Sequence, residues 1–213
     1  MKSFIANTLV KWFKAFPYFG RFRFWCLYWA YRITGWHIRH KEWDFVLGYL
    51  PSLGKWQSVS VLDVGCSRNL LCHELVARGY KLTGVDLEEP NFKYPAKFSR
   101  LDIRGYVGEI YQYRYDFVTC ISVLEHIEES IDGLGDHSVK FNSGQLKAIT
   151  NMINVLKIGG RLLLTIPTNE FAQGHPWRGF SMTDLINLLP KNAMIQELTE
   201  RVGQICCAIE RVS

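Results

Sequence analysis

From residue 58 onward, short apolar runs alternate with segments of helical character, and this alternation limits the folds available to the chain. The apolar runs are rich in Val, Ile and Leu and are bounded by Gly, Pro or acidic residues, as strands buried on both faces are. The segments between them are long enough to carry the chain to a parallel neighbour. The pattern therefore predicts an α/β domain with helices on both faces of a mostly parallel sheet.

The positions of the individual strands and helices follow from this alternation. Helices are expected over residues 69–78 and 145–156, with a short one that is capped by Ser181 or Thr183 and ends at Leu189. The last two strands are expected to form an antiparallel pair, because a short connection joins them. The predicted strands cover residues 58–63, 81–86, 96–101, 115–122, 161–167, 194–200 and 204–212.

Residues 1–55 differ in composition from the rest and are interpreted as a helical extension of a domain formed by residues 56–213. Up to Lys41 the chain has eight Lys or Arg residues and no Asp or Glu, although the net charge of the whole chain is +5. More than half of all aromatic residues also lie in the first fifty positions. The spacing of apolar residues predicts helices over residues 4–16, 21–34 and 40–50.

This basic and aromatic extension has three interpretations, which the sequence leaves open. As a lid, it would pack on the sheet and shape the pocket for a substrate. As an interfacial segment, residues 1–34 would lie on an anionic membrane surface with their aromatic side chains at the acyl boundary. As a nucleic-acid arm, it would follow phosphates with its basic residues and stack its rings on bases. Nucleic acid is the least favoured of these partners.

The sequence predicts neither a membrane span nor a secretory signal. The uncharged apolar run over residues 24–31 is too short to cross a bilayer, and no small-residue cleavage site follows it. The six cysteines include no Cys-x-x-Cys pair, which argues against a zinc site or a redox motif. We therefore expect a cytoplasmic protein that could at most bind peripherally to the inner face of the membrane.

The main chemical signal lies at the ends of the first two predicted strands. Gly65 follows the first strand, where the lack of a side chain permits a sharp turn and the close approach of a ligand. Asp86 ends the second strand 21 positions later, the spacing at which an acid reaches the hydroxyls of a bound ribose. Because parallel sheets bind ligands at the carboxyl ends of their strands, a cofactor with a ribose is expected here.

Five segments within residues 58–168 resemble the motifs of class I S-adenosylmethionine-dependent methyltransferases. The resemblance implies the Rossmann-like sheet of that class, with seven strands. In the family, the acid and glycine that match Asp63 and Gly65 hold the methionine portion of the cofactor, and the acid that matches Asp86 binds the ribose. The cofactor implied is S-adenosyl-L-methionine, with binding residues at Asp63, Gly65, Cys66, Ser67, Asp86, Leu87, Asp102, Ile103, Ile121 and Ser122.

The first motif departs from the family pattern at two positions. Ser67 and Asn69 stand where the family usually has its second and third glycines. One alternative is therefore a catalytically silent partner protein that binds the cofactor. A second alternative is an NAD-dependent oxidoreductase, because Asp86 would also suit the ribose of NAD. The sequence lacks Gly-x-Gly-x-x-Gly, which disfavours this second alternative.

The fourth motif, over residues 121–127, supplies the candidate catalytic residues. His126 is the predicted base for an oxygen nucleophile, and Glu125 is predicted to orient it. The segment resembles the Glu-x-x-Glu-His pattern that binds a divalent ion in ubiquinone-type O-methyltransferases, but Ser122 replaces the first Glu, so no metal is expected. A looser similarity to methyltransferase-like proteins of bacterial polysaccharide clusters implies O-methylation of a glycan or a lipid-linked small acceptor.

Overall fold

The structure, a computed structural model, describes residues 20–34, 39–52, 58–90, 92–105, 108, 114–127, 143–173, 179–201 and 203–213. Helices α1 (Gly20–Thr34) and α2 (Arg39–Tyr49) form the described part of the extension. Both agree closely with the predicted helices, whereas the helix predicted over residues 4–16 lies outside the described residues. None of the helices within the described ranges is long and apolar enough to span a bilayer.

Seven strands form one sheet, which confirms the predicted fold class. The spatial order is β3-β2-β1-β4-β5-β7-β6, in which β7 is antiparallel to both of its neighbours and the other pairings are parallel. Within the described ranges, three α-helices follow: α3 (Leu71–Ala77), α4 (Ser143–Asn154) and α5 (Met182–Leu188). The strands are β1 (Ser60–Val64), β2 (Lys81–Asp86), β3 (Lys97–Arg100), β4 (Tyr115–Ile121), β5 (Leu156–Pro167), β6 (Ala193–Arg201) and β7 (Gln204–Arg211).

The strand order reverses next to β1. Strands β2 and β3 extend to one side of it, and β4, β5, β7 and β6 extend to the other. The connections that leave the carboxyl ends of β1 and β4 therefore diverge and open a crevice between them, as in other doubly wound sheets. This crevice lies at the strand ends where the sequence placed its candidate residues.

Strand β5 begins earlier than the sequence predicted. The sequence predicts a helix up to residue 156 and a strand from residue 161, but α4 already ends at Asn154, and Gly159 and Gly160 lie within β5. The pairing of β5 with β4 shifts register there, and a Cβ atom on Gly160 would lie 3.0 Å from the carbonyl oxygen of Asp116. The glycines therefore permit an irregular, closely packed start to the strand.

The extension shares its core with the sheet domain. Phe24, Tyr28 and Trp43 are buried in the same apolar cluster as Leu71 and Leu75 of α3. The rings of Phe24 and Trp43 are 4.7 Å apart between centroids, which places α1 and α2 in contact at the base of this cluster. Helices α1 and α2 are thus packed on the domain, and all but two of their Phe, Trp and Tyr side chains belong to its core or pack against it.

A polar contact also joins α1 to α3. The carboxylate of Glu74 is 1% exposed and accepts hydrogen bonds from Arg21 Nε at 2.9 Å and Trp25 Nε1 at 3.0 Å. Arg78 Nε, one helical turn beyond Glu74, donates to the same carboxylate at 2.9 Å. Donors on three side chains compensate a buried charge that would otherwise destabilise the fold.

Shortening Phe24 tests whether the extension contributes to the stability of the whole domain. Phe24 is 0% exposed, so Phe24→Ala should lower the free energy of unfolding by about 3–5 kcal/mol. Phe22 lies in the same helix but is 61% exposed, so Phe22→Ala should change stability by no more than about 0.5 kcal/mol. Urea unfolding measures both. Equal effects of the two substitutions would show that α1 does not share the core.

Candidate active site

A cleft of about 730 Å³ lies at the carboxyl ends of β1, β2 and β4. It is the place where the strand order reverses, so its position follows from the topology. Its walls include nine of the residues that the sequence singled out: Gly65, Ser67, Asp86, Leu87, Asp102, Ile103, Ile121, Ser122 and His126.

The turn after β1 requires a glycine at one position. Gly65 has φ of 75°, and a Cβ atom there would lie 2.1 Å from Cγ2 of Val123. Asn69 instead has extended backbone, with φ of −105° and ψ of 111°. Ser122 is the one non-glycine residue with positive φ in the described ranges, so Ser67 is not left-handed either. The loss of the two family glycines at positions 67 and 69 therefore introduces no backbone strain in this loop.

The carboxylate of Asp86 is fixed at the rim of the cleft by two backbone groups. Its Oδ2 accepts the N–H of Ser67 at 2.8 Å, and its Oδ1 accepts the N–H of Glu88 at 3.0 Å. A carboxylate has about four lone-pair directions, so each oxygen can accept a further bond from a ligand hydroxyl. Asp86 is thus pre-oriented to bind a pair of hydroxyl groups.

An apolar wall adjoins this carboxylate. Leu87, which is 53% exposed, and the side chains of Leu101 and Ile103 line the same part of the cleft. Asp102 lies beside them and accepts bidentate hydrogen bonds from Arg104 at 2.8 to 3.0 Å. The hydrogen-bonded guanidinium of Arg104 lowers the pKa of Asp102. The cleft thus combines apolar side chains with a hydrogen-bonded carboxylate at this end.

Two of the predicted binding residues lie below the cleft and do not line it. Asp63 is fully buried, accepts a hydrogen bond from Thr119 Oγ1 at 2.9 Å, and is approached by Asn69 Nδ2 and the Tyr94 hydroxyl at 3.5 and 3.4 Å. Burial raises the pKa of Asp63 to about 7. Cys66 is buried as well, and burial raises the pKa of its thiol. In the structure these side chains support the loop from beneath.

The two predicted catalytic residues have different surroundings. Both belong to the 3-10 turn Leu124–His126. His126 is exposed and lines the cleft, whereas Glu125 is 4% exposed and does not line it. No cluster of three or more His, Cys, Asp or Glu side chains suited to a metal ion occurs within the described ranges, which leave out residues 128–142.

Sequence reasoning missed two residues of the extension that reach this site. Arg39 lines the cleft, and its Nη1 donates to the carbonyl oxygen of Ile121 at 3.3 Å. Glu42 is 1% exposed and pairs with Arg39 at 3.2 Å. Its Oε1 accepts hydrogen bonds from the hydroxyls of Ser122 at 2.5 Å and Thr165 at 2.7 Å. The sequence did contain one indication of this pair. Glu42 is the first acidic residue of the chain, and it stands three positions after Arg39, a spacing at which two side chains of a helix are neighbours.

Helix α2 also contacts the loop after β1. Trp43 is buried, and its Nε1 donates to Asn69 Oδ1 at 3.2 Å. The same oxygen accepts the N–H of Leu71 at the start of α3. Asn69 therefore connects the extension to the loop, a role that glycine could not fill. The burial of α2 against the sheet domain supports the lid interpretation for residues 39–49.

A family model described as a methyltransferase domain matches residues 29–203. The ubiquinone biosynthesis O-methyltransferase of Leptothrix cholodnii is 28% identical over 116 residues, which are 43% of this chain and 49% of that protein. The chain thus matches about half the length of this relative.

Solved structures of low sequence identity have the same fold. The N-methyltransferase NodS from Bradyrhizobium japonicum WM9, solved with S-adenosylhomocysteine, has a TM-score of 0.58 at 15% identity, covering 82% of this chain and 87% of that one. The 1,6-didemethyltoxoflavin-N1-methyltransferase of Burkholderia thailandensis has a TM-score of 0.55 at 16% identity, covering 80% and 75%. The family match extends over most of the chain, from within α1 to the end of β6. The chain therefore belongs to the methyltransferase-domain family, among the class I S-adenosylmethionine-dependent methyltransferases.

Proposed function

We propose that this protein transfers the methyl group of S-adenosylmethionine to a hydroxyl of a glycan or a lipid-linked small acceptor. The observation that carries the proposal is the cleft at the strand reversal, where the fixed carboxylate of Asp86 and the exposed His126 line the same walls. The family match supports the reaction class, and the O-methyltransferase name of the curated relatives supports oxygen as the acceptor atom.

The residues of the cleft suit the three parts of the cofactor. Asp86 would accept hydrogen bonds from the ribose hydroxyls, and the wall of Leu87 and Ile103 would contact adenine. Arg39 lies at the β4 side of the cleft, where its guanidinium could pair with the carboxylate of the methionine portion. Between these two ends Gly65 and Val123 line the cleft, and the Val123 side chain occupies the space that a Cβ atom on Gly65 would take.

Catalysis then needs little covalent chemistry from the protein. S-adenosylmethionine supplies a methyl group on a sulfonium whose leaving group is a neutral thioether. The cleft aligns the acceptor oxygen with that methyl group, and alignment contributes up to about 7–11 kcal/mol in favourable cases. His126 would accept the proton that the hydroxyl loses, since its exposed side chain lines the cleft. Glu125, buried in the same turn, is proposed to orient it.

Binding of the cofactor is tested by replacing Asp86. A carboxylate that accepts hydrogen bonds from both ribose hydroxyls contributes roughly 1.5–3 kcal/mol, so Asp86→Ala should weaken S-adenosylmethionine binding at least about tenfold in calorimetry. Asp44→Ala is the matched control, because Asp44 is a half-exposed carboxylate of α2 that pairs with Arg32 of α1 and does not line the cleft. Equal affinity of the wild type and of Asp86→Ala for S-adenosylmethionine would show that Asp86 does not bind the cofactor. Tighter binding of NAD than of S-adenosylmethionine would favour the oxidoreductase instead.

The role of His126 is tested by turnover. His126→Ala should lower the turnover number by roughly 10²–10⁴-fold and leave cofactor affinity nearly unchanged, because a base acts on the acceptor. The assay uses labelled S-adenosylmethionine with an extract of the host organism, and the labelled product identifies the acceptor. Full activity of His126→Ala would show that His126 is not the base and that the site contributes to catalysis only by aligning the acceptor oxygen with the methyl group. Loss of wild-type activity in a chelator, with recovery on adding magnesium, would instead establish a metal requirement.

A membrane surface is the second partner that we propose, on the basis of the outer face of α1. Three large apolar side chains are exposed there, namely Phe22 at 61%, Trp29 at 52% and Ile33 at 75%. Their spacing of seven and four residues places them on one face of the helix. The half-exposed guanidinium groups of Arg21 and Arg32 lie beside this face, and α1 contains no acidic residue. An aromatic face with basic neighbours complements an anionic bilayer.

Sedimentation with vesicles tests this membrane proposal. The protein should bind phosphatidylcholine vesicles that contain phosphatidylglycerol, bind pure phosphatidylcholine poorly, and be partly released by high salt, because salt screens the charges and leaves apolar burial intact. The triple variant Phe22→Ser, Trp29→Ser and Ile33→Ser should lose at least about tenfold in partitioning while retaining cofactor binding. Ile158→Ser, a change at a 71% exposed residue of β5, should bind like wild type. Wild-type protein that stays in the supernatant with anionic vesicles would exclude the membrane surface.

A further inference from the structure

We propose that Glu42 is a positioning residue for methyl transfer, acting through Arg39 and Ser122 at the methionine end of the cofactor site. This inference rests on the proposed function and assigns to the extension a direct part in it. Neither the family motifs nor the candidate residues of the sheet domain include Glu42.

A carboxylate that is 1% exposed must be compensated by its surroundings. Glu42 lies in the first turn of α2, and its side chain is buried against the carboxyl ends of β4 and β5. The hydroxyls of Ser122 and Thr165 both donate to its Oε1, and Arg39 is ion-paired with its Oε2 at 3.2 Å. These partners come from three separate elements, so the carboxylate fixes the position of α2 relative to two strand ends.

The contact with Ser122 bears on the shape of the cleft. Ser122 has φ of 49°, a left-handed conformation that non-glycine residues rarely adopt. Its N–H donates to the carbonyl oxygen of Thr165 at 2.9 Å while its hydroxyl donates to Glu42. Held from both sides, the chain turns sharply after β4 and brings Ser122, Val123 and His126 into the wall of the cleft. Glu42 thereby stabilises the strained turn that carries the proposed base.

The contact with Arg39 bears on the charge in the cleft. Arginine has a long, flexible side chain, and ordering it costs conformational entropy unless a partner holds it. Glu42 lies one helical turn after Arg39, and the carbonyl oxygen of Ile121 accepts a further hydrogen bond from the same Nη1 atom. The guanidinium is therefore already oriented where it lines the cleft. A ligand with a carboxylate would therefore bind a guanidinium that is already in position, and binding would not have to order the Arg39 side chain.

The structure also offers a matched control. Glu74 is a second buried glutamate, likewise 1% exposed, and it too ties the extension to the sheet domain through arginine side chains. It joins α1 to α3 and does not line the cleft. A substitution at Glu74 therefore reproduces the general loss of packing between extension and domain without touching Arg39 or Ser122.

The experiment compares two ligands that differ at the methionine end. S-adenosylhomocysteine carries the amino-acid carboxylate, whereas 5′-methylthioadenosine has the adenine and ribose but no amino-acid group. Glu42→Gln keeps an oxygen that can accept the two hydroxyl bonds but removes the charge that orients Arg39. It should raise the dissociation constant of S-adenosylhomocysteine about tenfold and that of methylthioadenosine less than about twofold. Glu74→Gln should change the two constants by equal, small factors.

Further variants separate the outcomes. Should Glu42→Gln fail to fold, Glu42→Asp keeps the charge but withdraws it from Arg39 by one methylene, and the same selective weakening is expected. In an Arg39→Gln background, Glu42→Gln should have no additional effect on S-adenosylhomocysteine, because its partner is already missing. Equal weakening of both ligands by the Glu42 variant, or no weakening of either, would overturn the inference. Failure of the wild-type protein to bind S-adenosylhomocysteine would overturn the proposed function itself.

Discussion

The parallel pairing of β1 with both β2 and β4 is the constraint on which the rest of the structure depends. It places the carboxyl ends of three strands side by side and sends their connecting loops in opposite directions. The turn at Gly65 is possible because no Cβ atom competes with Val123 for the same space. The position of Asp86 at the end of β2 and the turn with His126 after β4 both follow from this arrangement.

Much of this arrangement could be predicted from the sequence because it depends on local patterns. The alternation of apolar runs and helical segments predicted the seven strands, and the 21-residue spacing from Gly65 to Asp86 predicted two residues that the structure brings to one cleft. The bounds of β5 were less accurate. Two glycines that are typical of a helix end lie inside an irregular strand, and the irregularity arises from pairing with β4, which a local pattern does not contain.

The parts that could not be predicted depend on contacts between distant segments. Glu42 and Ser122 are 80 residues apart in the chain, and Arg39 and Ile121 are 82 apart, so no motif includes both members of either pair. Asp63, in contrast, lies within a motif, but its surroundings could not be predicted from that motif. The resemblance predicts that Asp63 binds the cofactor, whereas in the structure Asp63 is fully buried, accepts a hydrogen bond from Thr119 and does not line the cleft.

The position of β7 has a consequence for the order in which the sheet can be completed. β7 comes after β6 in the chain but lies between β5 and β6 in the sheet, and it pairs with both along nearly its whole length. Until residues 204–211 have left the ribosome, β5 presents an open edge and β6 has no neighbour to join. Open strand edges are templates for pairing with other chains. The sheet is therefore most exposed to aggregation during synthesis, just before this strand is inserted.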